Sequence, residues 1–133
     1  MTARKRRSLA LCGLIALALA STMALAQATL ADIAGRWEVT AVRLRPGPVQ
    51  VLTDDDPGYM GAVLEIGSQR LAFVVTKPGG TLDDVCVGPQ WDGARVRCAS
   101  GAFGPPGSAL SGLGEQLRLD WYDNAILTLR RAR

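Results

Sequence analysis

The chain has no histidine, and beyond residue 26 it has one lysine, Lys77, and two cysteines, Cys86 and Cys98. Each shortage removes a class of chemistry. Without histidine the commonest general base and the commonest metal ligand are gone. Two cysteines with no CxxC pair do not make a zinc site. The serines past the leader are Ser68, Ser100, Ser108 and Ser111, and none sits in a GxSxG elbow. A serine–lysine pair would need Lys77, which lies beside a Pro-Gly turn with no positioned base. No GxxxxGK[ST] or post-strand GxGxxG phosphate loop is present. The sequence therefore reads as a non-enzyme with no cofactor and no metal.

What is present begins with a leader. Arg4, Lys5, Arg6 and Arg7 precede an apolar run over residues 9–20, and Ala24-Leu25-Ala26 follows. A basic start, an apolar stretch and a small-x-small end form a secretory signal peptide. Residues 1–26 are expected to be cleaved, leaving the mature chain in the periplasm or secreted. A retained anchor is the rival reading, but Ser21 and Thr22 interrupt the run and its alanine-rich end suits cleavage. Lipidation at Cys12 would want a small residue before it, and Leu11 is large. Arg6-Arg7 also raises twin-arginine export, though the very apolar run suits the general secretory route.

Removing the leader changes the charge. The whole chain is +3, but four of its 15 basic residues lie in the leader, leaving 11 against 12 acidic residues. No basic face for nucleic acid is evident. Arg130, Arg131 and Arg133 cluster at the tail and read as a solvated terminus. Residues 27–133 suffice for one domain: a lead-in over 27–35, then a barrel over 36–133.

Between Cys86 and Cys98 lie the turn pairs Gly88-Pro89 and Asp92-Gly93. In an exported chain this predicts a disulfide around a short loop, with two free thiols as the alternative. Closing such a loop is worth roughly 3 kcal/mol.

Alternation of apolar residues predicts strands at residues 36–45, 62–66, 71–75, 85–87, 94–98, 116–121 and 125–129, with a short edge strand at 49–52. The first strand shifts face after Ala41, which predicts a bulge. Gly67-Ser68 and Asp123-Asn124 are read as hairpin turns, and Lys77-Pro78-Gly79-Gly80 closes another hairpin. Residues 100–114, rich in glycine and proline, are read as a long loop. About seven or eight short strands point to an all-β fold, a small antiparallel up-and-down barrel, with a sandwich as the alternative.

Asp54, Asp55 and Asp56 lack the alternating spacing of a calcium loop and read as solvated. Asp83 and Asp84 also read as loop acids, since neighbours on a strand face opposite ways and cannot flank one glycosidic bond. Trp37 and Trp121 fall on core phases. Trp91 does not, and either anchors a protein partner or caps the barrel end. Tyr59 and Phe103 carry the same two readings.

Ala34-Gly35-Arg36-Trp37 opens the first strand and Arg130 follows the last apolar residue of the final one. This resembles the lipocalin-like (calycin) pattern, in which a GxW tryptophan closes one barrel end beneath an arginine of the last strand. The resemblance implies barrel closure by Gly35, Trp37 and Arg130 (or Arg131), with a cation–π contact. Among small exported calycin-like proteins the chain is most similar to the bacterial alkaline-protease-inhibitor domain. Leu117-Arg118-Leu119-Asp120 matches the turn before that family's closing strand. The family is periplasmic, has one disulfide, and inserts its N-terminal segment into the protease cleft. Its cysteines lie between early strands, whereas Cys86 and Cys98 come late. The corresponding segment here is residues 27–33, so Gln27, Ala28, Thr29 and Leu30, together with Trp91, are the expected partner contacts.

The functional expectation is an exported, non-enzymatic binding module that inhibits a peptidase. Two alternatives stand beside it. One is a small lipocalin-like carrier of an apolar ligand, with Val39, Leu64, Phe73 and Leu119 lining its interior. The other is a structural cell-envelope protein.

Overall fold

The computed structural model describes residues 29–48, 51–77 and 80–133. Eight strands make one antiparallel sheet, curled through 204° into a half-barrel. Its spine is β1 (Gly35–Leu44), flanked on one side by β2 (Val63–Ile66), β3 (Arg70–Lys77) and β4 (Gly80–Val87). Between β4 and the closing strands lie β5 (Gln90–Trp91), β6 (Val96–Arg97) and β7 (Ser100–Gly101). β7 extends the β4 edge, while β5 and β6 form a separate ribbon. β8 (Ala109–Leu113), β9 (Gln116–Asp120) and β10 (Ala125–Arg131) complete the sheet on the other side of β1. The sandwich alternative is not adopted.

Alternation along β1 sets the inner face. Trp37, Val39 and Val42 are buried, and the register with β10 shifts between Val39 and Ala41. The predicted bulge is therefore present, and it returns Val42 to the core. β1 pairs with β2 only as far as Glu38. Past that point the 51–62 loop satisfies its edge: Val39 and Ala62 share a bond of 2.9 Å, and Val42 N–H donates to Asp55 Oδ1 at 3.1 Å.

Several elements differ from the sequence expectation. The hairpin turn after β2 centres on Ser68-Gln69, one residue later than expected, because Gly67 N–H already pairs with Arg70 O at 2.9 Å. β4 runs from Gly80, so Asp83 and Asp84 lie on a strand and not in a loop. Their faces differ as strand geometry requires: Asp83 is exposed, while Asp84 accepts a bond from Gly104 N–H at 3.2 Å. The expected 94–98 strand shrinks to two residues. Residues 100–114 are not one loop, since they hold β7 and β8. Residues 51–52 are not strand, and Val49 and Gln50 lie outside the described residues, as do Pro78 and Gly79. Asp123-Asn124 does form its turn, with both residues at φ 58°. Positive φ at both central positions matches the right-handed twist of the flanking strands.

The core fills the concave side. Trp37, Tyr59, Phe73, Leu64, Leu71, Leu110, Leu117, Leu119, Leu127 and Leu129 are all buried in one continuous cluster. At the Tyr59 end, Phe73 and Trp121 pack edge to face at 5.3 Å between ring centroids, and Phe103 covers Trp121 at 5.7 Å. Tyr59 and Phe103 thus fold inward. Ring pairs of this kind add about 0.5–1.5 kcal/mol beyond the area they bury.

Candidate functional site

Two places combine defined geometry with access to solvent: the barrel end where the chain enters, and the seam where the half-barrel stays open.

The entry end is built from a 3-10 turn, Leu30–Ile33, ahead of β1. Asp32 Oδ2 accepts from the Thr29 backbone N–H at 2.8 Å and from its hydroxyl at 3.2 Å. Ile33 is fully buried, and its carbonyl accepts the Trp37 indole N–H at 2.8 Å. The Arg131 guanidinium lies 4.4 Å from the Trp37 ring centroid. Its two terminal nitrogens donate to Ala34 O at 3.0 Å and Asp32 O at 3.3 Å. Gly35 has φ +127°, and a Cβ there would stand 3.2 Å from Arg131 Nη1. Glycine thus serves both the backbone conformation and the close approach of arginine.

The arginine over Trp37 is Arg131 and not Arg130. Trp37 pairs directly with Arg131, whereas Arg130 pairs with Glu38 on the outer face. Ala125, Leu127 and Leu129 face inward, and carrying that alternation two residues further selects Arg131. The signal was in the sequence. Of the expected segment contacts, Thr29 is exposed and Leu30 is half-buried against the core. Gln27 and Ala28 lie outside the described residues.

The seam is closed by the disulfide-bounded ribbon. Cys86 on β4 bonds Cys98, with Cα atoms 5.3 Å apart. Trp91 and Val96 pair on the ribbon's inner face and pack against the core. The Trp91 indole donates to Leu110 O at 2.8 Å, and Leu110 N–H donates to Ala94 O at 2.8 Å. Both outward backbone groups of Leu110 on β8 are thereby satisfied. Trp91 therefore sits half-buried in the seam. On the outer face of the ribbon, Asp92 Oδ1 accepts from Arg95 N–H at 2.7 Å and Ala94 N–H at 2.9 Å. These backbone bonds hold its carboxyl below the usual aspartate range.

The acidic loop is also structural. Asp55 accepts from Val42 N–H and from the Arg43 guanidinium at 2.6 Å, and Asp54 accepts from Leu44 N–H at 2.9 Å. Asp56 accepts from Gly58 N–H at 2.9 Å. The Val42 bond, and secondarily Arg43, hold the Asp55 carboxyl low. These acids act as backbone partners for β1 and its loop, a role that composition does not reveal. Among the described residues no group of three or more His, Cys, Asp or Glu is placed to hold a metal. Ser108 Oγ donates to Pro105 O at 2.8 Å within its own loop. Among the described residues no helix is long and apolar enough to cross a membrane.

The interior bears on the carrier reading. Val39 and Phe73 are 1% exposed, and Leu64 and Leu119 are 0% exposed. A space large enough for a ligand would leave accessible surface on these side chains. Among the described residues all four belong to the one core cluster. Comparison with protein-family models, curated proteins and solved structures finds no match to this chain.

Proposed function

We propose that the chain is an exported, non-enzymatic binding module that inhibits a peptidase by presenting the short segment ahead of its barrel. One observation carries the reading. The root of that segment is fixed at three points, by Trp37 on Ile33 and by Arg131 on Asp32 and Ala34. A segment held at its root loses less conformational freedom on binding than a free tail does. The Trp37–Arg131 contact is also of the kind that the lipocalin-like resemblance implies. The Cys86–Cys98 disulfide is compatible with export.

The geometry sets which residues can enter a cleft. Ile33 is core and Leu30 packs against it, so the insertable part ends at Thr29. Removing residues 27–33 would remove a core side chain and confuse binding with folding. The informative variant lacks only Gln27 and Ala28, which leaves every contact described above in place.

The test uses the mature chain, beginning at Gln27, against a panel of exported metallo- and serine endopeptidases. Inhibition of at least one member is expected. It should be lost when Gln27 and Ala28 are removed, and lost again when two extra residues precede Gln27. An unchanged near-UV spectrum confirms the fold of both variants. Inhibition that survives both changes would refute the segment's role.

A further inference from the structure

The clamp at the entry end makes the proposed segment very short. Asp32 Oδ2 accepts the Thr29 N–H at 2.8 Å and the Thr29 hydroxyl at 3.2 Å. Asp32 N–H donates back to Thr29 O at 3.0 Å. Three bonds thus join the two residues, and Arg131 holds the Asp32 carbonyl in turn. The barrel's hold on the chain reaches Thr29. On the exported reading, a cut after Ala26 leaves two residues ahead of that point, Gln27 and Ala28. A binding element of two residues has no reserve. An aminopeptidase that takes one of them removes half of it, and chain termini are where proteolysis concentrates.

The residue that this cut exposes carries a chemistry that blocks such trimming. A chain that begins with glutamine holds an α-amine and a carboxamide in one residue, spaced to close a five-membered ring. The unprotonated amine nitrogen attacks the side-chain Cδ, and an N–Cδ bond forms. The Cδ–Nε2 bond breaks, and Nε2 leaves as ammonia with the proton shed by the amine. The product is a pyroglutamyl lactam, and no oxidant, reductant or other co-reactant enters. Both reacting groups lie in one residue, so closure has the advantage of an intramolecular reaction. Part of any ordinary α-amine is unprotonated at neutral pH, which lets the attack proceed. The lactam lacks the terminal charge and the primary amine that an aminopeptidase recognises.

We propose that Gln27 is a modification site: the exported chain begins with pyroglutamate, and the lactam protects the segment from aminopeptidases. The inference rests on the exported reading and its cut after Ala26, and it adds the chemical state of the segment. The sequence makes that state easy to read. Past the leader, Lys77 carries the only side-chain amine. A chain that begins with an open glutamine therefore has two primary amines, and a cyclised one has Lys77 alone.

The test expresses the full chain with its leader in a bacterial host and recovers the exported protein. The expected intact mass is that of residues 27–133 less one ammonia. The denatured chain should take up one equivalent of an amine reagent, at Lys77. A pyroglutamyl peptidase should restore a second reactive amine, on Ala28. A chain that begins at Gln27 and keeps two reactive amines overturns the proposal, as does a chain that begins at any other residue. Protection is read separately, by mass. The exported Gln27→Ala chain cannot form the lactam and is expected to lose residues 27 and 28 to a broad-specificity aminopeptidase, while the unaltered chain keeps its full mass. Equal trimming of the two chains overturns the protective role. Inhibition decides the peptidase reading by itself: a chain that carries the lactam and inhibits no member of the panel overturns that reading and upholds Gln27 as a modification site.

Discussion

Arg131 does three things with one side chain: it covers Trp37, holds Asp32 O and holds Ala34 O. A cation over an indole and charge-assisted bonds to carbonyls together are worth about 2 kcal/mol. Arg131→Ala is therefore expected to lower the urea midpoint by that equivalent. Arg130→Ala, on the outer face, should stay within about 0.5 kcal/mol of the parent. Equal effects would contradict the assignment. At the same scale, Asp55 and Asp92 have carboxyls held low by backbone N–H groups. A carboxyl depressed in the folded state adds stability above its unfolded pKa, about 3.9, and that stability disappears as pH falls through the folded value. Thermal midpoints should therefore hold from pH 7 to 5 and decline below about pH 4. Asp55→Asn with Asp92→Asn should flatten the acid limb, and an unchanged acid limb would contradict the proposed bonds.

Among the elements, the ribbon matters most. It spans the open side of a sheet whose two edges do not meet, and its hold depends on Cys86–Cys98 and on Leu110. Replacing both cysteines by serine should cost about 3 kcal/mol. It should also shift Trp91 emission to the red as the ribbon leaves the seam. Loss of stability without that shift would mean the ribbon is held by other contacts. The elements legible in the sequence were those with clean alternation and a good turn, such as Leu71, Phe73 and Val75 on β3, or Asp123-Asn124 before β10. β8 was hidden because the buried Leu110 is flanked by Ala109, Ser111 and Gly112, which look like loop. Gly112 sits there at φ +111°, where a Cβ would meet Gln116 O at 2.6 Å. Close backbone approach, not turn formation, explains that glycine. The first half of β4 was hidden because Asp83 and Asp84 resemble a loop, although the outward position of Asp83 readily carries an acid and Asp84 is satisfied by Gly104 N–H. At the entry end, Gly35 and Trp37 were legible. The backbone role of Asp54 and Asp55 was not, since it depends on β2 stopping short of Val42.

At the scale of the whole molecule, the fold is a half-barrel with two unlike ends and a stapled side. One end holds aromatic rings and the acidic loop; the other holds the turn clamped by Trp37 and Arg131. Among the described residues the concave face is lined by buried side chains, and the proposed recognition is placed on the segment ahead of Thr29. The most direct measurement is the inhibition constant of the chain beginning at Gln27 beside that of the chain beginning at Thr29, on the same peptidase. The account predicts tight inhibition by the first and at least a hundredfold loss in the second, about 2.7 kcal/mol of binding, with identical unfolding curves. Equal inhibition by the two chains would contradict it.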